Sequence, residues 1–370
     1  MKRFFLLALI ALGLGSVAAV AQKQQVANIR KAYAAAKDAI AKNGNNGRAP
    51  MDMQITLNDG SYIDDDLTIN DITVLQFFFN RKPAANFDKM YGSAQCFFIT
   101  ENWSAYGHSR YREMLFDADK GCLLFSYMRG ETHAGFVVES RYYYDANGQL
   151  IDQKHKTGDG ETTTAQNHTW SDSDGDKALA AKYLSVFDMM VNGKGAVEHK
   201  SLTTSGQKLT KADRMKMIRE RYAEAKRKMA ENDKSDLPKD VEIIVHDQHS
   251  ASMPPEVTEV KMYFDDVVDH VEVDAVSVDS YCYFISEHHH NNRMGFDNYA
   301  EYLFAPKSSN LIFSFSNVKE EGEQHEWRYY FDENGRCIET KSDTEDTDDG
   351  AADKETAKRY VKIFETLKEY

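Results

Sequence analysis

Ile29-Arg30-Lys31-Ala32-Tyr33-Ala34-Ala35-Ala36-Lys37 recurs as Ile218-Arg219-Glu220-Arg221-Tyr222-Ala223-Glu224-Ala225-Lys226, with 6 of 9 positions identical. Two further blocks return in the same order. Cys96-Phe97-Phe98-Ile99-Thr100-Glu101 becomes Cys282-Tyr283-Phe284-Ile285-Ser286-Glu287, and Arg141-Tyr142-Tyr143-Tyr144-Asp145-Ala146-Asn147-Gly148 becomes Arg328-Tyr329-Tyr330-Phe331-Asp332-Glu333-Asn334-Gly335. The offset stays between 186 and 189 across the three blocks, so one unit has been written twice. The reading is an α+β chain of two tandem homologous domains, each an antiparallel β-sheet flanked by an N-terminal and a C-terminal helix. Domain 1 covers 22–191, a linker 192–208 and domain 2 209–370.

The periodicities inside each copy support that class. Val26, Ile29, Tyr33, Ala36 and Ile40 recur at spacings of three and four, as do Met215, Ile218, Tyr222, Ala225 and Met229, which places each set on one helical stripe. Thr210 with Asp213 forms a capping-box start for the second of these helices. Met51, Met53, Ile55 and Leu57 then alternate with polar residues, and Val241, Ile243 and Val245 repeat the pattern. Alternation of this kind predicts strands with one buried face. Further strands are expected at 72–79, 95–100, 111–116, 122–128, 136–144 and 149–154, giving five to seven per copy. The Asp-x-Asn-Gly pairs at 145–148 and 332–335 suit type I turns with a Gly bulge. A closing helix carries Leu179, Tyr183, Val186, Phe187 and Met190, matched by Thr356, Tyr360, Ile363, Phe364 and Leu367, with Asp176 and Asp353 as expected N-caps. The helices are expected on one face of the sheet.

Lys2 and Arg3, an apolar run from Phe4 to Leu14, and small residues before Gln22 read as a secretory signal peptide over 1–21, cleaved near Ala21. The expected product is exported, periplasmic or extracellular, with no transmembrane segment in the mature chain. Loss of Lys2 and Arg3 takes the formal charge from −14 to −16, which opposes nucleic acid and anionic membranes as partners. Cys96, Cys122, Cys282 and Cys337 would allow one disulfide per copy in an oxidising compartment, or serve as small buried hydrophobes.

Chemistry is sought first among charges shared by the copies: Glu101 with Glu287, Glu113 with Glu301, and Arg141 with Arg328. Identity in both copies is most simply explained by the shared fold, and Glu113 and Arg141, on predicted neighbouring strands, suit a cross-strand ion pair. The sharpest asymmetry is His288-His289-His290, opposite Asn102-Trp103-Ser104. Three imidazoles are weak metal candidates, because adjacent strand residues point to opposite faces. Asp172, Asp174 and Asp176 resemble the start of a calcium loop without its Gly or its terminal Glu. They read as solvated, like Asp64-Asp65-Asp66 and the run 343–349. No catalytic motif or phosphate-binding loop is present, so no catalytic residue and no cofactor is assigned. Aromatic residues make up 12% of the chain, and Phe77-Phe78-Phe79 and Tyr142-Tyr143-Tyr144 would put rings on both sheet faces. The expected function is a non-enzymatic binding protein for an unknown protein or glycan ligand, recognised through exposed rings or the cleft between domains. The alternative is a metal-dependent or other hydrolase near His288–His290.

Overall fold

The computed structural model describes residues 2–44, 50–64, 67–82, 92–105, 108–131, 135–158, 160–162, 172–194, 210–248, 255–272, 275–291, 295–320, 322–344 and 349–368. Helix α1 (Lys2–Ala41) leads into β1 (Asp52–Asp64), β2 (Leu67–Arg81), β3 (Ala94–Ala105), β4 (His108–Asp117), β5 (Cys122–Glu131), β6 (Val137–Tyr144), β7 (Leu150–Thr157) and β8 (Gly160–Thr162), then α2 (Ser173–Val191). The second half repeats the plan. It runs α3 (Lys211–Asn232), β9 (Lys239–Asp247), β10 (Glu256–Glu272), β11 (Ala275–Asn291), β12 (Phe296–Phe304), β13 (Leu311–Glu320), β14 (Glu323–Phe331), β15 (Cys337–Ser342) and α4 (Ala351–Lys368). The chain is mixed α+β and mostly sheet. Most of the linker, 195–209, lies outside the described residues.

All described strands join one antiparallel sheet in the order β15 through β9, then β1 through β8. Each half is a meander, and the two halves meet at their first strands. In that junction Ile55 lies opposite Ile243, Met53 opposite Val245, and Leu57 opposite Val241. Ile55 and Ile243 are equivalent positions of the two copies, as are Met53 with Val241 and Leu57 with Val245. The pairing is therefore symmetric about a local twofold through the Ile55–Ile243 pair, as in an isologous interface. Polar contacts obey the same symmetry. Asn43 donates to Asp52 (2.9 Å) and Asn232 to Asp240 (2.8 Å), within each copy. Across the junction, His246 meets Asp52 at 2.8 Å and the equivalent Asn58 donates to Asp240 at 2.6 Å. Arg81 of β2 and Asp247 of β9 add a largely buried ion pair between the halves.

The helices do not share one face, which corrects the sequence expectation. Helices α2 and α4 cover one face, on a core that runs through both halves and includes Met53, Ile55, Phe77, Tyr183 and Phe187 with Val241, Ile243, Phe264, Tyr360 and Phe364. Helix α1 packs on the other face over Phe78, Phe98, Leu115, Phe125 and Tyr143, and α3 packs there over Tyr263, Phe284, Leu303, Phe313 and Tyr330. The reason lies in the strands, whose successive side chains point to opposite faces and are apolar at both. Phe77, Phe78 and Phe79 are at most 5% exposed, and Tyr142, Tyr143 and Tyr144 at most 3%. The aromatic runs are thus core on both faces, and the expected exposed ring platform is not formed by them.

Local details follow the sequence except at two expected N-caps, since Asp176 and Asp353 both lie inside the first turns of their helices. At the two Asp-x-Asn-Gly turns, Gly148 (φ +75°) and Gly335 (φ +71°) take the left-handed conformation, and Asp145 and Asp332 accept backbone hydrogen bonds from Asn147 and Gln149 and from Asn334 and Arg336. The N-cap of α2 is Asp172, not Asp176, and Asp349 accepts from the Ala351 amide at the start of α4. Asp176 lies inside the first turn, fully buried, where it accepts a hydrogen bond from Ser126. On α1, Gln22 donates to the Ile151 carbonyl and Val26 is buried. Among the described residues no helix is long and apolar enough to cross a membrane. All four cysteines are free thiols, with Cys96 and Cys282 buried at equivalent places.

Candidate ligand-binding cavities

Glu113 on β4 is 4% exposed and Glu301 on β12 is 3% exposed, and burial of a carboxylate is tolerated only with partners. Those partners come from the first helix of each copy and from the same strand. Tyr33 and Lys37, one turn apart on α1, donate to Glu113, with Lys37 at 2.8 Å, and Tyr111 donates at 2.5 Å from two positions earlier on β4. The same set recurs in the second half: Tyr222, Lys226 at 2.8 Å and Tyr299 at 2.7 Å all donate to Glu301. Burial, and then the neighbouring carboxylate, push the phenols of Tyr33, Tyr111, Tyr222 and Tyr299 well above their ordinary range, so all four remain donors. Each cage clamps a helix to the sheet, as a structural reading of the shared carboxylates implies.

Beside each cage the helix and the sheet leave a cavity. The first, about 390 Å³, is lined by Ile29, Arg30, Tyr33, Glu113, Phe125, Tyr127, Arg141 and Tyr143. The second, about 250 Å³, is lined by Ile218, Arg219, Tyr222, Phe313, Phe315, Arg328 and Tyr330. Apart from Glu113, whose counterpart Glu301 is not among the lining residues of the second cavity, these are position by position the same residues of the two halves, with Phe315 standing for Tyr127. Aromatic rings form the walls and two guanidinium groups stand at each. Arg30 lies over Tyr143 (5.5 Å), Arg141 over Tyr127 (5.6 Å) and Arg328 over Phe315 (5.1 Å), distances that suit cation–π contact. Arg141 donates to Glu139 at 2.7 Å and Arg328 to Glu326 at 2.8 Å. Glu113 and Arg141 are not on adjacent strands: Tyr127 of β5 stands in register between them, and Lys37 is the ion partner of Glu113.

The other shared pair, Glu101 and Glu287, faces α2 and α4, and here the copies differ. Glu101 accepts from Arg112 and from Tyr183 at 2.5 Å, and Arg112 also reaches Asp176 at 3.5 Å, making a buried cluster of two carboxylates and one guanidinium. Trp103 stacks on that guanidinium at 4.9 Å. In the second copy Ala300 occupies the place of Arg112, opposite Glu287, and Tyr302 donates to Glu287 at 3.3 Å.

His288, His289 and His290 lie on β11 and point alternately, as strand geometry requires. The rings of His288 and His290 are 4.7 Å apart on one face, with His288 bonded to Asp297 at 2.9 Å, while His289 meets Glu256 at 3.3 Å and packs edge-on against Phe296. Among the described residues no group of three or more His, Cys, Asp or Glu is arranged to hold a metal ion. Asp172 is spent on the amides of Asp174 and Gly175, and Asp176 on Ser126. Asp65, Asp66 and residues 345–348 lie outside the described residues.

In the sequence Tyr33 with Lys37 and Tyr222 with Lys226 stand only as shared letters of two helices, and the fold joins them to the shared glutamates. The signal was present: a Tyr and a Lys four apart on a helix, identical in both copies, with an identical Glu on a strand. No protein-family model matches the chain, and no curated protein matches it.

Proposed function

We propose that the chain is an exported, non-enzymatic binding protein built from two duplicated α+β domains, each offering one cavity between its first helix and the sheet as a ligand site. The observation that carries this reading is the recurrence of the cavity. Seven side chains of one copy and their seven counterparts in the other surround equivalent space, whereas the clamp on the helix needs only Glu, Tyr and Lys. Concave sites with aromatic walls and a few placed polar groups are the usual form of small-molecule pockets, which span roughly 300–1,000 Å³. The first cavity, about 390 Å³, lies at the lower end of that range and the second, about 250 Å³, just below it, which suits a compact ligand or one sugar or side chain of a larger one.

The test is methyl NMR on isoleucine-labelled protein with a library of neutral and charged small molecules and short oligosaccharides. Ile29 and Ile218 each line one cavity. Binders that shift both methyl signals support the proposal. A library in which every binder shifts only other isoleucines, or in which none binds, contradicts it.

A further inference from the structure

Four arginines, two per cavity, stand on a chain whose formal charge is −14. Arg141 donates to Glu139 and Arg328 to Glu326, each two residues away on the same strand, and both guanidinium groups also line the cavities. Arg30 and Arg219 are exposed residues of α1 and α3, and among the described residues neither has a carboxylate within ion-pair distance. In so acidic a chain, an exposed cation at the same position of both copies is a departure from the surrounding composition. The caged carboxylates do not cancel it, because Glu113, which lines the first cavity, and its counterpart Glu301 are each paired with a lysine and held by two phenols. Among the described residues that line each cavity, two guanidinium groups remain, one of them also paired with a strand glutamate. The walls are rings: Phe125, Tyr127 and Tyr143 in one copy, Phe313, Phe315 and Tyr330 in the other.

We infer that each cavity takes an organic carboxylate with a flat apolar body, the carboxylate held by Arg30 and Arg141 in the first copy and by Arg219 and Arg328 in the second. This rests on the binding function proposed above and names the ligand class. Guanidinium groups bind carboxylates through paired N–H donors, and the planar rings favour a planar ligand body. Two sites per chain follow from the duplication.

The experiment is calorimetric titration of the full chain with benzoate, its neutral isostere benzamide and inorganic phosphate, with the Ile29 and Ile218 methyl signals as site reporters. Benzoate is expected to bind at two sites per chain, at least about tenfold tighter than benzamide or phosphate. Arg30→Gln with Arg141→Gln should remove one site and shift only the Ile218 signal, and Arg219→Gln with Arg328→Gln should do the converse. Arg30→Gln and Arg219→Gln alone, at exposed positions, should each weaken one site without changing the circular dichroism spectrum. Benzamide or phosphate binding as tightly as benzoate, or glutamine variants that titrate like the unsubstituted chain, would overturn the inference. If neutral compounds shift Ile29 and Ile218 while benzoate has no advantage, the binding function stands and the anionic ligand class falls.

Discussion

Removing the carboxylate of Glu113 would leave two phenols and an ammonium group converging on an empty site. Lys37 is 43% exposed and can turn to water, so the loss falls chiefly on Tyr33 and Tyr111. We expect Glu113→Ala to cost about 2–4 kcal/mol in urea unfolding, with Glu301→Ala similar because the cage is the same. Arg112→Ala should cost about 3–5 kcal/mol, since it strands Glu101 and Asp176 in the core without their shared cation. His246 offers a pH test. Its hydrogen bond to Asp52 raises its pKa above the ordinary value, so its contribution is fully present below about pH 6.5 and is lost as pH rises through the folded-state value. His246→Asn mimics the equivalent Asn58. The stability advantage of the unsubstituted chain over this variant should therefore shrink between pH 6 and 8, by less than about 1 kcal/mol because the imidazole is 39% exposed. An advantage that grows with pH would contradict the assignment. At this scale the sequence showed which charges the copies share, but not their partners. Glu113 and Lys37 meet only through helix docking, a long-range contact that no local pattern encodes.

Gly350 opens α4 at φ +70°, accepting the Lys354 amide, and a Cβ there would sit 2.9 Å from Cγ of Tyr329. Gly350→Ala combines left-handed strain with overlap against a buried ring, so a loss of about 2–3 kcal/mol in chemical denaturation is expected. Gly148, at φ +75° in the 145–148 turn, has nothing within 4 Å of the same point, so Gly148→Ala should lose only about 1 kcal/mol. Equal losses at the two sites would show that crowding at Tyr329 is not the source. Helices, strands and these turns were legible because period, capping residues and turn glycines are local signals. The faces of the helices were not. Phe77-Phe78-Phe79 is apolar at every position, and a strand with that pattern does not say that two different helices will cover its two sides.

Across the whole molecule, one core under α2 and α4 spans both halves, and the junction strands β1 and β9 are central in the sheet instead of forming two edges. An open sheet of 15 strands exceeds the usual limit of about 10, and here it is reached by joining two shorter meanders through a symmetric pair. The likeness of the two halves was readable from three blocks of sequence. The junction was not, because alternation in Met53, Ile55 and Leu57 reports a buried face and is silent about which strand lies alongside. The most direct measurement is hydrogen exchange of the β1 and β9 amides that point across the junction, compared with those of β15 that point away from β14. A shared sheet requires the junction amides to exchange at least about 100-fold more slowly than the β15 edge amides. Junction amides that exchange as fast as that edge would mean the two halves do not pair in solution.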